Sequence, residues 1–273
     1  MEIGPKIIQK INKPDKNTGD HISIHINENW VVFCLFSKET LVDLNKIRFL
    51  QPKSSTFILK TIKKYIKGFS LNELPKSVKL VYYDCTSSLV PTILFEEKNS
   101  LNFLKYNSKI NINDQAANDV VLNDEMRNVF IPFMNINNYI FKKFNAFNFF
   151  HYSTLLIDLL FKEARKSLAK KIFLNINDGF IDILFFNNKK IEFYNSFKHS
   201  SSEDILYYLL FSLSQLNLNP DNIHVVTSGN ISLDSDIYEL LYNYVRNIEI
   251  LNFESIEEVN PEILTSNILF RNL

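Results

Sequence analysis

The chain has 273 residues, 46% hydrophobic, 14% aromatic and 22% charged, a globular composition long enough to hold a core without disulfide or metal staples. Thirty basic residues balance thirty acidic ones; this argues against a dedicated nucleic-acid or anionic-membrane binder, since both work through excess cationic charge, and neither DNA nor a membrane is expected as a partner. The five glycines are too dispersed for a P-loop or a dinucleotide-binding loop, which removes two large enzyme classes.

In chain order, residues 1–20 are polar, contain Pro14 and Gly19, and read as a loose or partly helical arm. Ile22–Ile26 alternates apolar and polar as a half-buried strand does, and Asn27-Glu28-Asn29 turns it into a second strand, Trp30–Phe36. Lys46–Leu50 adds a third. Ser54–Lys67 carries Phe57, Ile58, Ile62, Tyr65 and Ile66 on one helical face and stops at Gly68. Val78–Tyr83 is a strand, Pro91 opens a short helix, and Asn99–Tyr106 suggests another. Residues 107–150 are Asn-rich and variable, with strand-like pieces near Val120–Leu122, Asn128–Phe133 and Phe147–Tyr152.

Ser153–Lys170 has the apolar stripe of an amphipathic helix. Phe173–Ile176, Ile181–Phe186 and Lys190–Phe197 form a meander whose turns, Asn177-Asp178-Gly179 and Asn187-Asn188, suit positive φ. Serines 200–202 cap a helix from Glu203 to Leu216, Ile223–Thr227 is a buried strand, and Asp234 or Asp236 caps a helix to Tyr244. Ile248–Phe253 is a last strand before a solvated acidic tail, Glu254–Glu262. Cys34 lies in an apolar run and reads as core. No pair of Cys or His stands at metal-ligand spacing. The N-terminus has no signal pattern, and apolar runs fall far short of the ~20 residues that span a bilayer, so a cytoplasmic location is expected.

A hairpin heads the first half and a meander heads the second, each followed by helix–strand alternation. The stretches Tyr194–Phe197, Glu203–Phe211, Gln215–Pro220, Ser228–Ser232 and Asp236–Leu241, with the opening Ile22–Ile26, resemble an uncharacterised bacterial family of unknown function (DUF3822). The resemblance implies an α/β, two-lobe actin-like ATPase (ribonuclease H-like) fold, each lobe opening with an antiparallel hairpin on a mixed sheet. It divides the chain into an arm (1–20), lobe I (21–153, including the variable segment 107–150) and lobe II (154–273). It carries no established activity. Its members are associated with genes beside a ribosomal-RNA methyltransferase.

Actin-like ATPases hold Mg-ATP with two Asp-x-Gly hairpin turns and a Gly-rich turn. Glycine lets main-chain N–H groups approach phosphate oxygens, and the carboxylates hold hydrated Mg²⁺ and orient water. In the first hairpin the matching positions are His25-Ile26-Asn27; in the second they are Asn175-Ile176-Asn177, with Asp182 seven residues after Asn175. The third turn, Thr227-Ser228-Gly229-Asn230, keeps one glycine. Amides preserve a turn but supply no charge for a metal, and loss of a positioned acid or base costs about 10²- to 10⁴-fold in rate. If nucleotide binds, the residues to hold it are Asn27, Asn175, Asn177, Asp178, Gly179, Asp182, Ser228 and Gly229. No catalytic or metal-ligating residue is assigned and no cofactor is expected beyond that ATP.

Plainer readings compete. Asp178-Gly179 is ordinary hairpin chemistry, Asp182 alternates with Ile181 and Ile183 and so faces solvent or the cleft, and His25 sits on the polar side of its strand. Lys60, Lys63, Lys64 and Lys67 form a solvated helix face, and Phe141, Phe144, Phe147, Phe149 and Phe150 are core. The expected role is a non-catalytic actin-like protein with degenerate nucleotide loops that binds another protein, through 107–150. The alternatives are an ATP-binding or weakly hydrolysing ATPase and an RNA-associated accessory factor. Oligomeric state stays open.

Overall fold

The computed structural model describes residues 6–12, 21–37, 40–67, 75–83, 86–106 and 110–251. The chain divides into two compact units, Met1–Asp119 with Arg127–Ser153, and Val120–Met126 with Thr154–Leu273. The acidic tail lies outside the described residues.

The first part of the chain runs β1 (Lys6–Asn12), β2 (His21–Ile26), β3 (Trp30–Ser37), β4 (Thr40–Arg48), α1 (Ser55–Lys67), β5 (Ser77–Tyr82), β6 (Ser88–Pro91), α2 (Ser100–Leu104), β7 (Ala117–Val121), β8 (Met126–Phe130), α3 (Met134–Phe144) and β9 (Asn148–His151). Six strands form one sheet in the order β1-β4-β3-β2-β5-β9, and a three-stranded sheet has the order β6-β8-β7. Antiparallel β2–β3–β4 and parallel β2–β5–β9 pairings make the larger sheet mixed. Ile24, Val31, Phe33 and Leu80 on one face meet Ile58 and Ile62 of α1 and Ile136 and Ile140 of α3 in a continuous apolar core. Period two on the strands and 3.6 on the helices puts the apolar residues of each element on one face.

Beside β4, which starts at Thr40 and not Lys46, and the unexpected β6, two elements that depend on distant partners differ from the sequence expectation. The arm contains a strand, β1, because its partner β4 supplies an antiparallel register from Lys6↔Arg48 to Asn12↔Asp43; pairing, not the local pattern, makes it a strand. The variable segment contains α3, whose Ile136, Asn137, Ile140 and Phe144 are buried. Asparagines at 135, 137 and 138 lower helix propensity, and the N-cap, Phe133, offers no side-chain bond. Packing on the core overrides both.

The second part runs α4 (Tyr152–Ala164), β10 (Lys171–Ile176), β11 (Phe180–Asn187), β12 (Lys190–Lys198), α5 (Ser202–Gln215), β13 (His224–Gly229), α6 (Asp236–Tyr242) and β14 (Asn247–Ile250). Its five-stranded sheet has the order β12-β11-β10-β13-β14. Ser201 caps α5 in a reciprocal capping box with Asp204, and Ser235 caps α6. Ile172, Leu174, Ile181 and Ile183 pack against Ile205, Leu209 and Leu213 of α5 and Leu241 of α6.

The two sheets are duplicates in detail. β2, β3 and β4 begin at His21, Trp30 and Thr40; β10, β11 and β12 begin at Lys171, Phe180 and Lys190, each 150 positions later. The irregularity between Leu35 and Phe36 recurs between Phe185 and Phe186. β5 and β13 each lie parallel to the first strand of their hairpin.

Candidate functional site

The β10–β11 turn positions the polar residues of the second unit. Asn177 N–H donates to Phe180 O (2.9 Å), and Gly179 takes φ +90°. A Cβ at Gly179 would touch nothing, so the left-handed conformation is what glycine serves there. His199 Nε2 lies 3.0 Å from Asn177 O. Asp178 is half-buried and Gly179 is exposed.

Beneath the turn, Asp182 is 0% exposed. Period two places it on the same face as Asn175, its cross-strand partner, and next to Tyr194. Three donors converge on its carboxylate: Asn177 Nδ2 (3.0 Å) and Asn175 Nδ2 (3.3 Å) to Oδ2, and the Tyr194 hydroxyl (3.3 Å) to Oδ1. Ser228 Oγ donates to Asn175 Oδ1 at 3.0 Å, extending the network to the end of β13. Gly229 follows at φ +85°, where an added Cβ would lie 2.2 Å from Ile176 O; the same carbonyl accepts Asn230 N–H at 2.8 Å. Five of the sequence-predicted residues, Asn175, Asn177, Asp182, Ser228 and Gly229, thus form one cluster. Of the expectation that Asp182 faces solvent or the cleft, the solvent reading is corrected. Alternation identified the face of the strand, but that face is itself buried, and a buried carboxylate is tolerated only when hydrogen-bonded.

Asn27 holds the equivalent turn of the first unit. Its N–H donates to Trp30 O (2.9 Å), its Nδ2 to Tyr83 O (2.7 Å), and its Oδ1 accepts Asn29 N–H (2.8 Å). His25 is not on a solvated face either: it is 0% exposed. Its Nε2 lies 2.9 Å from Ser23 Oγ and its Nδ1 3.3 Å from the Tyr83 hydroxyl. Burial lowers its pKa from 6.5 to about 3, so the imidazole is neutral near pH 7. Where the duplicated position of the second unit has Asp182, this unit has Val32, the cross-strand partner of His25.

A second buried cluster escaped the sequence reading. His151 Nδ1 lies 2.7 Å from Ser153 Oγ, Asn128 Nδ2 donates to the same Oγ (2.8 Å), and Ser87 Oγ is 3.2 Å away. Asp119 Oδ2 accepts the main-chain N–H of His151 (2.8 Å). His151 and Ser153 are both wholly buried, so this is a polar joint between β9 and α4 without the accessible hydroxyl that a hydrolytic triad needs. The i, i+2 spacing was its one sequence signal. Cys34 is buried, as expected, and both burial and nearby Asp43 raise its thiol pKa.

Comparison with known proteins follows the same geometry. A family model described as "Protein of unknown function (DUF3822)" matches residues 9–248. No curated protein matches the chain. A crystal structure from Bacteroides thetaiotaomicron VPI-5482, of a protein with actin-like ATPase fold and unknown function, is 19% identical, covers 94% of this chain and 97% of its own, and superposes with a TM-score of 0.74. The PilM-PilN type IV pilus biogenesis complex contains a chain 13% identical, covering 93% of this chain and 98% of its own, with a TM-score of 0.56. The fold is the actin-like ATPase fold. Among the described residues, no helix is long and apolar enough to cross a membrane.

Proposed function

The chain belongs to the DUF3822 family of proteins of unknown function, and from that premise we propose that it is a non-catalytic actin-like protein that binds another protein. One observation carries the reading. The carboxylate that the second hairpin sets beside Asn175 and Asn177, Asp182, is buried and spent on Asn175, Asn177 and Tyr194. Hydrated Mg²⁺ needs exposed carboxylate oxygens in octahedral geometry. Here the turn offers amides whose donors already have an internal acceptor and one half-buried carboxylate, Asp178, and the first hairpin offers a neutral imidazole and Asn27. This donor set does not fit a metal-bound triphosphate.

A structural relative that stands in a complex with a protein partner, PilM with PilN, supports a protein as the ligand class. The surface proposed for it is the exposed part of 107–150. Ile112 is 99% exposed and Phe141, expected in the core, is 59% exposed, while Val129, Phe130, Ile136 and Ile140 of the same segment belong to the core. Deleting the segment would therefore unfold the unit, and point substitution is the proper test. Affinity capture with the wild-type chain should retain a partner that the I112S/F141S variant loses. Capture undiminished by that variant would remove the surface assignment.

A further inference from the structure

The helix pairs that cover the two sheets are charged oppositely. In the first unit, α1 presents Lys60, Lys63, Lys64 and Lys67 at i, i+3, i+4 and i+7, exposed and on the side away from buried Ile58, Ile62 and Ile66. α3 continues the patch. Lys63 Nζ stands 5.1 Å from the centre of the Tyr139 ring, and exposed Lys143 lies one turn beyond Tyr139, beside exposed Lys142. Neither helix contains an acidic residue or an arginine. Among the described residues, none of these lysines is in an ion pair. In the second unit, α5 carries Glu203 and Asp204, α6 carries Asp236 and Glu239, and neither helix contains a lysine or an arginine. Asp204 is held by its capping box, while Glu203, Asp236 and Glu239 are exposed.

Helix dipoles explain only half of this pattern. They favour acids in the first turn and bases in the last turn of every helix. Here α1 and α3 lack the acids, and α5 and α6 lack the bases. In a chain with thirty charges of each sign, the segregation produces two surfaces of opposite potential. The acidic one is also aromatic. Tyr207 stacks on Phe211 (6.0 Å) and Tyr238 on Tyr242 (6.1 Å), with Tyr207 61%, Phe211 45% and Tyr242 59% exposed. Exposed rings beside carboxylates suit lysine: the ammonium lies over a ring or pairs with an acid, and the apolar stem packs along the surface.

We infer that the α1–α3 surface of one copy of the chain docks on the α5–α6 surface of a second copy. A phosphate backbone would also meet lysines, but the absence of arginine from the patch, the zero net charge and the matching acidic surface on the same molecule favour the chain itself. A two-fold axis through either surface would set like charges opposite one another, so the contact is heterologous, head to tail. It is separate from the protein partner proposed above and does not depend on it.

Sedimentation velocity of the full chain should show concentration-dependent association at about 50 mM salt, weakening toward about 500 mM as the charges are screened. K60E/K64E and D236K/E239K each set like charges opposite one another, and each should raise the dissociation constant about tenfold or more. Mixing the two variants should restore association, because each supplies the face that the other has reversed; recovery also shows that both are folded. A wild-type chain that stays monomeric up to hundreds of micromolar at low salt overturns the inference, whether or not it retains RNA in a gel shift. So does association that either variant leaves intact, or a mixture that stays apart although both variants keep the wild-type circular dichroism and thermal midpoint.

Discussion

Replacing Asp182 with alanine removes the acceptor on which three donors converge. Two of them, Asn175 Nδ2 and Asn177 Nδ2, belong to buried side chains and would be left without it. A stranded buried donor costs about 1–3 kcal/mol. Tyr194 is half-buried, so its hydroxyl can turn to water at little cost. Against this, the native state no longer desolvates a carboxylate, a penalty of several kcal/mol that its hydrogen bonds now offset. The net expectation is a loss of roughly 3 kcal/mol, which for a chain of this size lowers the midpoint by about 6–12 °C. D182N keeps one acceptor oxygen and presents an amide where the other stood, so about half that loss is expected. Thermal unfolding followed by far-UV circular dichroism measures both. A D182A variant within about 0.5 kcal/mol of wild type would refute the idea that the carboxylate serves as an internal lock for the turn.

Three further results are expected together. His25 binds a proton in the unfolded chain below about pH 6.5 but in the native state only near 3. Its contribution is fully present above 6.5 and is lost as pH falls toward 3, by about 4–5 kcal/mol at about 1.4 kcal/mol per pH unit. In denaturant titrations H25N should flatten stability against pH between 4 and 6.5, and an unchanged slope would contradict the burial of a neutral imidazole. G229A forces a Cβ to 2.2 Å from Ile176 O at φ +85° and should cost at least about 3 kcal/mol. G179A, with open space at φ +90°, should cost only the roughly 1–2 kcal/mol of the left-handed backbone. Equal losses in chemical denaturation would contradict the close approach at Gly229.

The hairpins were legible because their information is local. Asn177-Asp178-Gly179 sits between two alternating runs, and turn chemistry plus period two fixed both strands and register. The Ser201 cap and the start of α5 were legible for the same reason. What failed was long-range. Alternation separates the two faces of a strand but does not say what covers each face, so Asp182, expected toward solvent or the cleft, and His25, expected on a polar face, are both buried. β1 depends on β4, and α3 depends on a core contributed by α1 and the sheet, so neither had a signal of its own. The Asn175–Asp182 pairing was implicit in the hairpin register, since positions 175 and 182 are cross-strand partners. The link to Ser228 needed the parallel pairing of β10 with β13, 53 residues away.

In the proposed reading, the turns of this actin-like fold hold themselves together in place of a metal-bound triphosphate. Isothermal titration of the purified full chain with Mg-ATP is the decisive measurement. The expected result is no saturable heat at millimolar nucleotide, where even a Kd near 1 mM, about −4 kcal/mol, would register. Saturable binding that is abolished by G229A, or release of phosphate by the wild-type chain, would contradict it.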